Sequence, residues 1–283
     1  MINQKLMVSG ADYFADTYEI NPYYTNKTIN IKKAKAEHAE ILECFKKANI
    51  ELVKVAPPKN CQDGVYTANW ALIKDGIAVM SRLPKARKAE EAYAKKYLEE
   101  QGIKTVSVPN NYLFSGQGDS LRCGKYLFGG HGYRSDPEAQ QFAAKTLNLE
   151  LIQLHAKPQL NNDGTVHINP FTNHADSFWY DLDLAVSVID EHTIAYCPEA
   201  LDKESNQKIE SIPDLDKIKV DFDECTKGFA NNLVSTGKHV IMSNKAPELQ
   251  AELEKRGLIC LTPNVTELKK GGGYIRCASL WLN

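Results

Sequence analysis

The order of the predicted elements is the feature that most constrains how this chain folds. Strand-like and helix-like segments follow one another in the order β-β-α-β, and the unit returns after about 50 residues without a repeat of the residues themselves. No stretch of linker or low-complexity composition breaks this pattern. We therefore expect a single α/β domain over residues 1–283, assembled from similar units.

Hydrophobic spacing predicts the individual elements. Apolar residues at helical spacing indicate helices over residues 32–48 and 85–101. The most strongly β segment is residues 180–189, whose apolar end indicates burial on both faces. Strands are also predicted over residues 165–168 and over the run that follows Gly273 and carries a cysteine.

Charge and composition exclude several classes of protein. The 283 residues are 43% hydrophobic and 25% charged, which is ordinary for a globular protein, and the formal net charge is −2. No polybasic block is present, so nucleic acid and anionic membranes are not expected as partners. The longest apolar run, residues 184–189, is far too short to cross a bilayer, and the N-terminal residues lack the pattern of a signal peptide.

The seven cysteines indicate the compartment. Their number is odd, and none forms a Cys-x-x-Cys pair. Such a set argues against a disulfide framework and against a zinc site, and it favours a reducing, cytoplasmic environment. The sequence contains neither an Asp-x-Asp-x-Asp-Gly loop nor a helix-borne cluster of ligands, so we expect no metal. Walker and dinucleotide-binding glycine motifs are absent as well, and we expect no cofactor.

A glycine-rich turn near the C-terminus is the first candidate for chemistry. Gly271, Gly272 and Gly273 can adopt positive φ and let a ligand approach the backbone, and Cys277 follows them. A ligand lying on the glycines would then meet the Cys277 thiol. The alternative is a glycine hairpin with a small buried cysteine, because free cysteine is usually inert.

Two carboxylates on the predicted strand 180–189 are the second candidate. Asp181 and Asp183 are two residues apart, so on a strand they would share one face. Buried together they are costly unless a cation or hydrogen-bond donors satisfy them. The pair therefore indicates a cationic ligand, a metal or internal arginines, whereas an exposed strand end is the alternative that needs no ligand.

Five short segments, taken in order, resemble those of a known superfamily. They are Asp63-Gly64-Val65-Tyr66-Thr67-Ala68-Asn69, Gly116-Gln117-Gly118-Asp119, Gly132-Tyr133-Arg134-Ser135-Asp136, Tyr180-Asp181-Leu182-Asp183 and the run from Gly273 to Cys277. Each motif is weak alone. Their order and spacing are similar to those of the dimethylargininase and amidinotransferase superfamily, the penteins, which includes arginine deiminases and arginine dihydrolases.

The resemblance implies a fold and a chemistry. The fold would be a five-bladed α/β propeller of repeated ββαβ units with pseudo-fivefold symmetry and a central site. Cys277 would attack the central carbon of a guanidinium to form a covalent thioether, with no cofactor. Arg134 would pair with a substrate carboxylate, and Asn21 would also reach the substrate. The residues that would line the remaining polar shell are Asp63, Asn69, Ser115, Asp119 and Asp183.

Two positions depart from the family pattern. Ser115 stands where the family has an acidic residue before its Gly-x-Gly-Asp turn, and Asp181 stands where it has the catalytic histidine. A second alignment register would place His174 on the histidine position, and His131 from a neighbouring blade is a further source of an imidazole. The catalytic set is therefore Cys277 with Asp181 or His174.

These residues lead to one principal hypothesis and two alternatives. We expect a cysteine-dependent hydrolase that cleaves a guanidino or amidino C–N bond of an arginine-like small molecule. The alternatives are a degenerate relative that binds such a ligand without turnover, and an amidinotransferase. The choice of guanidino compound and the existence of a homo-oligomer are left open by the sequence.

Overall fold

A computed structural model of the protein describes residues 1–25, 28–109 and 111–283. Within these residues, fifteen short strands form five sheets of three strands each, and six α-helices connect them. Five small sheets in one chain agree with the five blades that the resemblance implies.

The bounds of the elements follow the repeat. The strands are β1 (Lys5–Val8), β2 (Glu51–Lys54), β3 (Ala71–Lys74), β4 (Ile77–Met80), β5 (Lys104–Ser107), β6 (Ser120–Cys123), β7 (Tyr126–Gly130), β8 (Glu150–Leu154), β9 (Val186–Val188), β10 (Thr193–Tyr196), β11 (Asp216–Lys219), β12 (Val234–Ser235), β13 (His239–Ile241), β14 (Ile259–Leu261) and β15 (Leu280–Trp281). The helices are α1 (Ile31–Lys47), α2 (Ala89–Glu100), α3 (Pro137–Thr146), α4 (Lys203–Glu210), α5 (Phe222–Gly228) and α6 (Pro247–Lys255).

Every sheet has the same internal topology. The middle strand pairs antiparallel with one neighbour and parallel with the other, and a helix connects the two parallel strands, as β4, α2 and β5 do in the second sheet. The predicted ββαβ unit is thus confirmed. The first sheet is built from both ends of the chain, because β15 pairs antiparallel with β1 and brings Trp281 opposite Leu6. This closure fixes the segment just before β15, which carries Cys277.

The helices pack one apolar face on the sheets. In α1, Ala34, Ile41 and Phe45 are fully buried at helical spacing, which contributes about 1.5–3 kcal/mol for each of the two large side chains. Helix α1 matches the range predicted as residues 32–48. The range predicted as residues 85–101 begins with a 3₁₀ turn and continues as α2.

Three strand predictions are wrong, and two of them concern the site. Residues 180–189 form a 3₁₀ turn over Leu182–Leu184 and only then the short strand β9, because the backbone bonds from Leu184 to Asp181 and from Ala185 to Leu182 close a turn. The run around Cys277 is also a turn, and β15 starts only at Leu280. Residues 165–168 make isolated bridges instead of a strand. Apolar content indicated burial in each case, and burial does not distinguish a turn from a strand.

Candidate active site

Cys277 lies in a buried turn that the preceding glycines make possible. Gly272 has a φ of +84°, and a Cβ on Gly273 would overlap the ring of Tyr66. The carbonyl of Cys277 accepts a hydrogen bond of 3.0 Å from the backbone of Ala68. The predicted close approach to the glycines is therefore made by the protein's own aromatic rings, which hold the cysteine at 2% exposure.

Two polar side chains contact the Cys277 sulfur. Asn232 Nδ2 lies 3.1 Å from Sγ, and its Oδ1 accepts the backbone N–H of Cys277 at 3.2 Å. On the other side, Sγ lies 3.4 Å from Oδ2 and 3.8 Å from Oδ1 of Asp183. The thiol thus sits between an amide and a carboxyl group.

Asp181 lies in the same polar shell and is held by two donors. Asn69 Nδ2 donates to Oδ2 at 2.6 Å, and Ser115 Oγ donates to Oδ1 at 2.8 Å. Gly118 packs directly on this pair, since a Cβ there would lie 2.7 Å from Asp181 Oδ2 and would overlap Asn69. Three segments that were separate in the sequence therefore meet at one carboxylate.

Asp119 completes the shell from the neighbouring blade. Its Oδ2 accepts from Ser135 Oγ at 2.7 Å, and its Oδ1 accepts the backbone N–H of Leu182 at 3.0 Å. Because Leu182 lies between Asp181 and Asp183, this bond fixes the 3₁₀ turn that carries both carboxylates.

An arginine that sequence reasoning missed supports the shell. Arg87 makes two hydrogen bonds to Glu90, of 3.0 and 2.7 Å, and donates to Asn69 Oδ1 at 2.7 Å. It also lies 4.0 Å from Asp63, and Trp70 donates to the same Glu90 carboxylate at 2.9 Å. Because the amide oxygen of Asn69 accepts from Arg87, its amide nitrogen is the atom that points to Asp181. No motif marks Arg87, and only its position near a predicted helix start could have indicated it.

Burial shapes the electrostatics of the shell. It raises the pKa of Asp63 to about 6, although the positive charge of Arg87 opposes the rise. It raises the pKa of Asp119 and of Asp183 well above the ordinary value, and the negative charge of Asp181 adds to both. The pKa of the Cys277 thiol is raised well above its usual range for the same reasons. A cation bound here would lower all of these pKa values, so the shell favours a positively charged ligand.

The two predicted substrate contacts outside the shell are occupied by the protein itself. Asn21 Nδ2 donates to the carbonyl of Gly271 at 3.0 Å. Arg134 donates to the carbonyl of Ile20, and its guanidinium lies 4.9 Å from the centre of the Tyr180 ring. Both are buried, and both lie beside residues that adjoin the shell.

The histidine alternatives are not brought to the sulfur. His174 is exposed, and its backbone N–H faces Thr172 Oγ1 at 3.4 Å. The ring of His131 packs on His155, with 5.4 Å between centres. None of the seven histidines, all of which the structure describes, hydrogen-bonds Cys277, Asp181 or Asp183. The register that puts His174 on the family's histidine position therefore finds no support in the geometry.

Asn232 is the second residue that sequence reasoning missed. It follows α5 in a run, Ala230-Asn231-Asn232-Leu233, with no recognisable motif.

In the described parts of the chain, no group of three or more His, Cys, Asp or Glu side chains is arranged to hold a metal ion. Over the same ranges, no helix is long and apolar enough to cross a membrane.

Several known proteins are similar to this chain in sequence over most of its length. Residues 14–281 match the family model described as N,N dimethylarginine dimethylhydrolase, eukaryotic. The chain is 30% identical to the bifunctional arginine dihydrolase/ornithine cyclodeaminase ArgZ of Synechocystis, over 98% of this chain and 37% of ArgZ. It is 29% identical to the N(G),N(G)-dimethylarginine dimethylaminohydrolase of Mycobacterium tuberculosis, over 95% of this chain and 82% of that protein.

Solved structures give the same result. A variant of the N-terminal domain of ArgZ, covalently bound to a reaction intermediate, superposes with a TM-score of 0.88 and 27% identity, covering 99% of this chain and 97% of that domain. The dimethylargininase of Pseudomonas aeruginosa shares the fold alone, with a TM-score of 0.75 and 14% identity over the whole of both chains. The fold is therefore the five-bladed α/β propeller of the penteins. Because residues 14–281 also match the model of that family, this chain belongs to the N,N-dimethylarginine dimethylhydrolase family.

Proposed function

We propose that the protein hydrolyses a guanidino C–N bond of an arginine-like compound through a covalent thioether on Cys277. The observation that carries this proposal is the contact of the Cys277 sulfur with Asp183, inside a shell that also contains Asp181 and Asp119. Carboxylates that surround a thiol suit a planar cation whose central carbon faces the sulfur. The covalent intermediate in the structure of the ArgZ domain supports the same chemistry.

The roles of the surrounding residues follow from charge. Asp119, Asp181 and Asp183 would hold the guanidinium by charge-assisted hydrogen bonds, with Ser115 and Asn69 positioning Asp181. Asp63 lies 4.0 Å from Arg87, which also bonds Asn69, and it would add negative charge to the shell. Asn21 is bonded to the carbonyl of Gly271 in the glycine turn, and Arg134 to the carbonyl of Ile20. They would have to release their backbone carbonyl partners to bind the carboxylate of an amino-acid substrate.

The chain spans only 37% of the length of the bifunctional protein ArgZ. The activity of ArgZ therefore does not by itself identify the substrate of this chain, and the substrate is proposed. ArgZ is an arginine dihydrolase and the mycobacterial relative is a dimethylarginine dimethylaminohydrolase, so we propose L-arginine and its N-methylated forms as the first candidate substrates. Hydrolysis is preferred to amidino transfer because these relatives are hydrolases by name. We further propose a single domain over residues 1–283 in the cytoplasm, without a nucleic-acid partner, and a homo-oligomer is left to measurement.

Intact-mass spectrometry with product assays tests the proposal. The protein is incubated with L-arginine, N-methylated arginines and agmatine, while citrulline, ornithine and released amine are measured. We expect product with at least one compound and, after rapid acid quenching, a covalent adduct that is lost in Cys277→Ser. Cys225→Ser, which alters another buried cysteine, is the matched control and should keep both signals. Binding by calorimetry without product or adduct would instead identify a degenerate pocket.

A further inference from the structure

We propose that Asp183 receives the proton of the Cys277 thiol and delivers it to the departing amine, while Asn232 stabilises the thiolate. This inference rests on the proposed hydrolysis and specifies how the site works where Asp181 replaces the family's histidine. It assigns the proton to one aspartate of the shell and not to the other, and it makes Asn232 a catalytic residue.

The amide of Asn232 can have only one orientation. The backbone N–H of Cys277 can only donate, so the atom 3.2 Å away must be the amide oxygen of Asn232. The amide nitrogen is then the atom that lies 3.1 Å from Sγ, and it presents an N–H to the sulfur. A donor fixed in this way stabilises the charged thiolate more than the neutral thiol. One side chain thus holds the nucleophile's backbone and its reacting atom together.

Asp183 is the carboxyl group that can exchange a proton with the sulfur. Its Oδ2 lies 3.4 Å from Sγ, within hydrogen-bonding distance for a thiol. Asp181 makes no hydrogen bond to the sulfur, and each of its oxygens accepts from a neutral donor, Asn69 or Ser115. With both oxygens held by these donors and neither bonded to the sulfur, Asp181 suits binding of a cation more than exchange of a proton with Cys277.

The surroundings of Asp183 keep a proton in the pair. The groups that face it are the carboxyls of Asp119 and Asp181, the guanidinium of Arg276, the Cys277 thiol and the Asn232 amide. Burial raises the pKa of both Asp183 and Cys277. A bound guanidinium would place a positive charge against them and lower both pKa values, which favours a complex with one proton shared by Asp183 and Cys277.

The first half of the reaction balances with this proton. It moves from Sγ to Asp183, and the thiolate attacks the guanidinium carbon to give a neutral tetrahedral adduct. Asp183 then protonates the departing nitrogen, the C–N bond breaks, and neutral amine leaves. The product on Cys277 is a thiouronium cation, which faces the regenerated Asp183 carboxylate.

The second half returns the proton. Asp183 accepts one proton from an attacking water, whose oxygen bonds to the thiouronium carbon. When the C–S bond breaks, a ureido product forms and that proton passes from Asp183 back to Sγ. The second water proton remains on the oxygen of the product and passes to solvent, where the amine released in the first half takes up a proton, so the net products are the ureido compound and an ammonium ion.

Two matched isosteric variants distinguish the role of Asp183 from that of Asp181. Asp183→Asn and Asp181→Asn are compared on L-arginine, whose amine must be protonated to leave, and on S-methyl-L-thiocitrulline, whose thiolate leaves with far less need for a proton. We expect Asp183→Asn to lower kcat/KM on arginine at least about 100-fold more than it lowers kcat/KM on the thiol-releasing substrate. Asp181→Asn should lower kcat/KM on both substrates by the same factor. The same selective loss in Asp181→Asn, or an equal loss in Asp183→Asn, overturns the assignment.

Alkylation of Cys277 by the neutral reagent iodoacetamide tests Asn232. We expect Asn232→Ala to slow alkylation at pH 7 by about tenfold or more and to move its pH profile to higher pH, because a hydrogen bond to the charged sulfur is lost. Asn231→Ala is the control, since Asn231 bonds the carbonyl of Ala185 and not the sulfur. Equal rates in Asn232→Ala and wild type overturn the role of this amide.

Failure of the inference is distinguishable from failure of the proposed function. A wild-type protein that converts no guanidino compound and forms no adduct refutes the hydrolysis, and the proton assignment with it. An active wild type with the wrong pattern in the variants refutes the assignment alone. Near-UV circular dichroism checks that each variant is folded, and Asp183→Ser replaces Asp183→Asn in the comparison if the latter does not fold.

Discussion

Ser115 Oγ donates a hydrogen bond of 2.8 Å to Asp181 Oδ1, so the two positions at which the chain departs from the family motif are in direct contact. Where the resemblance implies an acid and a histidine, this chain has a hydroxyl and a carboxylate. In this chain the hydroxyl donates and the carboxylate accepts, so we expect the two positions to depend on each other as a single exchange.

The first prediction is that these two sites are energetically coupled. Ser115→Ala should destabilise the protein by about 1–3 kcal/mol, because Asp181 Oδ1 loses its donor in a buried site. Ser115→Glu should cost more, since two buried carboxylates would meet, and adding Asp181→His should recover stability. Urea unfolding of the wild type, Ser115→Glu, Asp181→His and the double variant gives the coupling free energy. Additive effects of the two substitutions would contradict the exchange.

Much of the site was predictable because its segments are local in sequence. The shell residues Asp63, Asn69, Asp119 and Asp183 belong to short motifs, and the structure brings them together around Cys277. The strand assignments failed there because a buried turn and a buried strand have the same apolar content. Alternation of residues cannot show that the bond from Leu182 to Asp119 bends the chain.

Arg87 and Asn232 could not be predicted for a different reason. Each lies outside any motif and acts through a residue that is distant in sequence: Arg87 contacts Asn69, 18 residues away, and Asn232 contacts the Cys277 sulfur, 45 residues away. Such contacts depend on how the blades are placed around the centre. A single sequence gives the elements of each blade and not the registration between blades.

The second prediction concerns the buried ion pair of Arg87. Arg87→Leu should destabilise the protein by about 3–5 kcal/mol, because Glu90, which is fully buried, would lose its charged partner. Lys95→Ala is the control, since Lys95 and Glu99 form an exposed ion pair on the same helix and removal should change stability by less than about 1 kcal/mol. The free energy of unfolding in urea measures both. Equal costs would show that the buried pair has no special role.

The third prediction separates steric contact from backbone strain. Gly118→Ala should disrupt the bond between Asn69 and Asp181, because its Cβ would occupy their space, although Gly118 has no positive φ. Gly257→Ala meets no neighbouring atom and has a φ of +84°, so it should cost only about 1 kcal/mol of backbone strain. We expect Gly118→Ala to lose turnover of the guanidino substrate while Gly257→Ala retains it. Steady-state kinetics alongside thermal unfolding distinguishes the two.

The fourth prediction is that two buried groups make opposite contributions to stability between pH 4 and pH 6. Burial raises the pKa of Asp63 to about 6, so in this range the native state keeps a proton that the unfolded chain has lost, and stability falls as pH rises. Burial lowers the pKa of His38 to about 4, so here the unfolded chain binds the extra proton, and stability rises with pH. Each shift corresponds to about 3 kcal/mol, and the two largely cancel.

Removal of one group at a time should expose the other. Relative to wild type, His38→Leu should become progressively less stable by about 3 kcal/mol as pH rises from 4 to 6.5, and Asp63→Asn should become more stable by a similar amount from pH 4 to 6. Taking the difference from wild type at each pH cancels the other titrating groups, which include Asp119 and Asp183. Urea unfolding across this range measures the slopes. Parallel curves for a variant and the wild type would mean that the replaced group has the same pKa in the folded and unfolded states.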